Sequence, residues 1–172
     1  MIKHFAIAPN GENLSRRQRG QMDVIGIATF GFFLLLVGVV LVITPGLPDR
    51  IYAFLNDFRL QPFAPNIYFP APRSNHPVLY TAISQFCLAF AVFQVFVLGA
   101  RFVLKDTVDK KAGTVSSLIF WAGASWILSS LAATIIGWFA FVGLLITLIG
   151  ISIVAKSSII LAVHGLVRAQ KT

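Results

Sequence analysis

The longest uninterrupted apolar pattern in the chain reads GTVSSLIFWAGASWILSSLAATIIGWFAFVGLLITLIGISIVA, from Gly113 to Ala155. It contains no Asp, Glu, Lys, Arg, His or Pro. One membrane-crossing helix needs roughly 20 apolar residues, so this stretch predicts two crossings joined by a minimal turn. Thr134 and Gly137 are the weakest helix formers in its middle, and Trp138 suits a membrane interface. The turn is therefore expected between residues 133 and 137. The third and fourth spans follow as 113–133 and 137–167, the latter extending past Lys156.

Two more apolar runs precede this pair. The first span is expected over 23–44, with Asp23 at its start, where a carboxylate favours the helix dipole. Gly31 and Gly38 share one face with Ile27, Leu34 and Leu41, a pattern that invites a neighbouring helix to approach closely. The second span opens at Pro77, a good first helical position, and runs over 77–104. Its length of about 42 Å exceeds the roughly 30 Å hydrocarbon core, so it is expected to tilt or protrude.

The outer loop, 45–76, is different in kind. Seven of the eight prolines fall between Pro45 and Pro77. Residues 48–58 place Ile51, Phe54, Leu55 and Phe58 on one helical face, predicting a short amphipathic helix on the outer leaflet. The remainder, RLQPFAPNIYFPAPRSNHP, alternates proline with aromatics, which predicts kinked, extended coil rather than a strand. Phe63, Tyr68 and Phe69 are too apolar for a free linker and are candidate contacts to membrane, bundle or partner. The expected fold is all-α: a polytopic membrane protein with four transmembrane helices and a short amphipathic helix in the outer loop. A basic head (1–22, with a short interfacial helix over 13–22), a charged loop (105–112) and a short tail (168–172) complete the chain.

Composition supports this class. The 172 residues are 57% hydrophobic and 12% charged, about half the charged fraction of soluble domains, and leave no length for a separate soluble domain. The net charge of +8 resembles a nucleic-acid signal until its placement is considered. Lys3, Arg16, Arg17, Arg19, Arg101, Lys105, Lys110, Lys111, Lys156, Arg168 and Lys171 all flank spans on one side. Only Arg50, Arg59 and Arg73 fall on the other. This positive-inside pattern predicts an integral cell-membrane protein with both termini cytoplasmic, in contact with membrane lipids and not with nucleic acid. The first apolar run begins near Val24, is too long for a signal-peptide core and has no cleavage pattern after it, so it is expected to remain.

Candidate chemistry is sparse. On the second span Tyr80, Ser84, Cys87, Ala91, Gln94, Leu98 and Arg101 follow steps of four and three and share a face. Two readings compete: the wall of a polar path or ligand pocket with Arg101 at its mouth, or a seam whose polar groups bond across helices. No carboxylate lies inside a span, which counts against an ion or proton pathway. Ser125, Ser129 and Ala133 on the third span, and Ala140, Gly143, Thr147 and Gly150 on the fourth, form two small faces expected to meet. His4, His76 and His164 lie in separate segments, so no metal site is expected, although His76 could join Asp49, Asp57 or Asn75 outside the membrane. Cys87, the one cysteine, forms no internal disulfide, and a thiol in an apolar helix is inert. No nucleotide-loop, zinc or redox motif occurs, and no serine has an activating partner. No cofactor is expected. The 105–111 loop (KDTVDKK) reads as a solvated connection, with docking of a partner as the alternative.

With the four spans, the Pro/Phe loop and the stretch GWFAFVGLLITLIGISIVAKS, the chain resembles uncharacterised archaeal-type four-helix integral membrane proteins. That resemblance implies the layout and no activity or functional residue. The expected function is non-catalytic: an accessory or structural subunit of a larger membrane complex, partnered by other membrane subunits or by itself. The runner-up is a small homo-oligomeric channel or carrier lined by the second span, and a lipid-handling membrane enzyme comes third.

Overall fold

The computed structural model describes residues 24–169, with the side chains of 164 and 166–169 excepted. The basic head, Asp23, His4 and the final tail residues lie outside the described residues. The elements are α1 (Val24–Ile43), α2 (Leu47–Asn56), β1 (Phe58–Ala64), β2 (Ile67–Pro72), α3 (Pro77–Val103), α4 (Val108–Ala132) and α5 (Trp138–Ala169). The chain is mostly helical, and α1, α3, α4 and α5 are long and apolar enough to cross a membrane.

Both tight connections end in the same backbone device. At the end of α3, the Asp106 N–H donates to the Arg101 carbonyl and the Lys105 N–H to the Phe102 carbonyl, with Lys105 at φ 52°. At the end of α4, Ile135 donates to Ser130 and Thr134 to Leu131, with Thr134 at φ 58°. Each is a Schellman cap, which satisfies carbonyls that the helix end would leave bare. The left-handed position falls on Thr134 and not on Gly137. At the other turn α4 already starts at Val108, so Asp109 sits in its first turn, where the helix dipole favours it.

Helix α3 is the middle of the bundle, with α1 and α4 against it and α5 against α4. A mid-span aromatic cluster fills the junction. Phe33 of α1 meets Phe86 and Phe90 of α3 edge-on, at 5.3 and 5.7 Å between centroids, and Trp121 of α4 lies 4.9 Å from Phe90. Phe32 stacks on Phe93 at 3.8 Å. Large rings bury more apolar area than glycine can, and they decide which side of α1 faces inward. Gly31, Gly38, Ile27, Leu34 and Leu41 accordingly point outward, and a Cβ on either glycine would meet nothing within 4 Å. The glycine face expected to pack does not pack against the described residues.

The α4–α5 hairpin also differs from expectation. Ser125 faces α3, whereas Ser129, Ala140, Gly143, Thr147 and Gly150 are exposed. The close approach is at Gly123, where an added Cβ would overlap the Leu148 Cδ1 methyl. Nearer the Lys-rich end, the Ser116 hydroxyl donates to the Ser152 carbonyl at 2.6 Å.

The proline-rich segment is not coil. It forms an antiparallel β-hairpin in which Phe58 pairs with Pro72, Leu60 with Pro70 and Pro62 with Tyr68. Pro62, Pro70 and Pro72 all fall on the same alternate positions of the ladder. The Arg73 N–H donates to the Asp57 carbonyl, so the inward-bonding pairs are the intervening ones. The prolines therefore occupy only outward positions, where no donor is needed, and a two-stranded sheet has an outward edge on both strands. Pro65 and Asn66 make the turn, with Asn66 at φ 62° as a type II turn requires. Phe58, expected on the amphipathic helix, instead starts β1; α2 buries Leu47 and half-buries Phe54.

Replacing Gly123 by Val should therefore lower the thermal unfolding midpoint in detergent, at a cost of about 1–3 kcal/mol from overpacking. Adding Leu148→Ala should recover part of that loss, and additive effects in the double mutant would argue against this contact.

Candidate functional site

The polar stripe of α3 lies inside the bundle. Tyr80, Ser84, Cys87, Ala91, Gln94 and Arg101 are all buried, and Leu98 is half-buried beside the buried Val97. Polar groups buried in such a helix must find partners away from lipid, and Ser84, Gln94 and Arg101 lie on this face, whereas Thr81 and Gln85 sit on exposed faces of α3.

The partners are on α4. Ser84 Oγ donates to the Ser125 carbonyl at 2.9 Å, and Ser125 Oγ donates to the Ser84 carbonyl at 3.0 Å. The two hydroxyls thus clasp each other's backbone. Between two and three helical turns farther along, Gln94 Nε2 donates to Ser117 Oγ at 3.1 Å. Ala91 lies between these bonds, and Cys87 packs with Ala124, Ile127, Leu128 and Leu148 in an apolar cluster. Within the chain this stripe is a bonded seam.

The seam ends in a cavity of about 330 Å³ at the Lys-rich end, between α1, α3, α4 and α5. Gln94 and Ser117 form part of its wall, together with Arg101, Lys110 and Lys156; among the described residues Asp109 is the one carboxylate lining it. Arg101 is 8% exposed and reaches Asp106 at 3.4 Å. Lys110 approaches the same carboxylate at 3.8 Å, and Lys156 pairs with Asp109 at 3.2 Å. The cavity lining was not foreseeable from spacing, because its residues come from four helices distant in sequence.

At the opposite end, Asp57 ties the hairpin to α3. The Ser74 backbone N–H donates to Asp57 Oδ2 at 2.6 Å, and His76 Nε2 donates to the same oxygen at 3.0 Å. The Ser74 bond, then the His76 bond, hold the Asp57 carboxyl below its ordinary pKa by favouring the charged form. Phe54, Phe58, His76, Tyr80 and Trp138 meet edge-on around this clasp. Of the three residues that the sequence marks for Asp57's role, the structure brings this aspartate alone to His76. Among the described residues no three His, Cys, Asp or Glu side chains converge as a metal site would require.

Phe63 and Phe69, two of the candidate contact residues, meet each other at 5.7 Å and reach Phe139 of α5 at 5.0 and 6.5 Å. Trp138 Nε1 donates to the outward-facing Pro70 carbonyl at 3.3 Å. The hairpin is thereby laid against the start of α5, while Phe63 and Tyr68 stay 57% and 61% exposed. No protein-family model, curated protein or solved structure matches this chain.

A carboxyl with a lowered pKa stabilises the folded form above its ordinary titration range, and that contribution is lost as pH falls through the lowered value. Asp57→Ala should accordingly abolish slow hydrogen exchange at the Ser74 amide at neutral pH. In the unmodified chain the same protection should fade on acidification below the ordinary carboxylate range. Unchanged Ser74 protection in the variant would show that the clasp does not hold the hairpin.

Proposed function

We propose that this chain is a non-catalytic integral membrane protein serving as an accessory or structural subunit of a larger membrane assembly. The observation that carries the reading is the outer hairpin. It is stiffened by three outward prolines and fixed to α5 by Phe139 and Trp138, yet it displays Leu60, Phe63 and Tyr68. A rigid surface of apolar and aromatic side chains has little ordering entropy left to lose on docking, which is what a protein contact favours. The outward Gly31/Gly38 face of α1 suits a second helix contact within the same assembly.

In this reading the Lys-rich end is cytoplasmic, following the loop cations, and α2 lies amphipathic on the outer leaflet. The runner-up, a homo-oligomeric channel or carrier, calls for the Tyr80–Arg101 stripe on an outer interface. Ser84 and Gln94 of that stripe bond to α4, and Tyr80, Cys87 and Arg101 are buried beside them, so the geometry favours the subunit reading.

Native mass spectrometry after mild detergent extraction tests it. Recovery with fixed amounts of other membrane subunits is the expected result; recovery only as a monomer or homo-oligomer would overturn the reading. Tyr68→Ser and Leu60→Ser alter side chains outside the hairpin's ring contacts. Each should weaken the assembly by on the order of 2 kcal/mol, a loss of tens of fold, while leaving the chain folded.

A further inference from the structure

We propose that the cavity at the Lys-rich end is a binding site for a phosphate group, whether on an anionic lipid headgroup or free. The site is independent of any protein partner. Three cations from three helices reach it: Arg101 of α3, Lys110 of α4 and Lys156 of α5. Among the described residues a single carboxylate lines it, Asp109, which is 69% exposed and engaged by Lys156. Asp106, just outside the lining, is shared by Arg101 and Lys110 at 3.4 and 3.8 Å. The Lys110 contact is long and its side chain is 40% exposed, so it is weak; Arg101 is buried and reaches Asp106 through Nη1 of a guanidinium with five donors, which can serve a carboxylate and an anion together.

The inner wall adds direction to the charge. Gln94 is 5% exposed and spends an amide proton on Ser117 Oγ, so the Ser117 hydroxyl proton is directed elsewhere and can be donated to an anion in the cavity. The neighbouring hydroxyls of Thr29 and Thr114 are used on the Ile25 and Lys110 carbonyls. Ser117 is thus the neutral donor at the inner wall, behind the cations. A volume of about 330 Å³ accommodates a phosphate with several waters, given about 30 Å³ for each water. A guanidinium, two ammonium groups and a hydroxyl around one space match phosphate oxygens, which accept charge-assisted bonds from all of them. A cation as ligand would face three positive groups, which sets the sign of the ligand.

The test uses the purified full chain in a neutral maltoside detergent. Native mass spectrometry and thermal unfolding would be read with added phosphatidylglycerol, phosphatidylcholine or inorganic phosphate. The expected result is retention of one phosphatidylglycerol per chain with a raised unfolding midpoint, and about tenfold weaker retention in Ser117→Ala and in Lys156→Gln. Arg101→Gln should lose more, but its side chain is buried; the two milder variants keep the test decisive if it fails to fold. A midpoint shift with inorganic phosphate equal to that with phosphatidylglycerol supports the site with free phosphate as its ligand. A shift with phosphatidylglycerol alone supports it with the lipid headgroup. Equal retention of phosphatidylglycerol and phosphatidylcholine, or retention unchanged in both Ser117→Ala and Lys156→Gln, would overturn the proposal.

Discussion

Inside a membrane every polar group has to find its partner within protein, and in this chain that requirement sets how α3 meets α4. The Ser84–Ser125 clasp satisfies both hydroxyls at once and permits one register only, since each donates to the other residue's carbonyl. A single such bond contributes modestly, about 0.6–2 kcal/mol, so the clasp is more a specification of register than a source of stability. The gross packing comes from the rings around Phe33, Phe90 and Trp121, whose contacts are broad and tolerate sliding. Directional bonds choose the position, and apolar area holds it. The same division of labour repeats between α4 and α5, where the Ser116–Ser152 bond sits on one side of the Gly123–Leu148 contact.

The two ends of the bundle solve opposite problems. At the hairpin end a long proline-rich segment has to be made compact, and the chain does so with a ladder, a carboxylate clasp and a cluster of aromatic edges. Leu60, Phe63 and Tyr68 stay exposed on the hairpin's outer surface. At the other end the connections are as short as Schellman caps allow, and the charges they carry surround a cavity. The seam joins the two. Tyr80 belongs to the aromatic cluster at one end, and Arg101 borders the cavity at the other.

The four spans were legible because uninterrupted apolar runs of that length have few alternatives. The face on which Ser84, Gln94 and Arg101 lie was legible too, from steps of four and three. What spacing could not say was which helix that face would meet, because Ser125 and Ser117 become partners only once α4 is placed at the right depth. The glycine patterns misled for a related reason: periodicity identifies a face but not its direction, and on α1 the rings of Phe32 and Phe33 outweighed Gly31 and Gly38. The real close approach depends on a single glycine, Gly123, opposite a leucine from another helix, and no periodic signal marks it. The hairpin was missed by counting prolines without their parity. Pro62, Pro70 and Pro72 lie at even positions and leave the odd N–H groups free for the ladder, with Pro65-Asn66 as a turn between them. Both features were present in the residues.

Continuity between the seam and the cavity gives the proposed phosphate site a structural consequence. Gln94–Ser117 is the last seam bond and also the inner wall of the cavity, so an anion there would extend the α3–α4 seam by one more set of hydrogen bonds. Its other ligands would come from α5 through Lys156 and from the α4 start through Lys110, while Gly26 and Thr29 close the cavity on the α1 side. Helix α1 is otherwise held mainly by stacked and edge-on rings, and of its residues only Leu36 is buried. A headgroup filling that space would supply contact where α1 has least of it. In such an arrangement a bound headgroup is a component of the bundle's packing at this end, and the cations around the cavity serve it as well as the carboxylates they pair with.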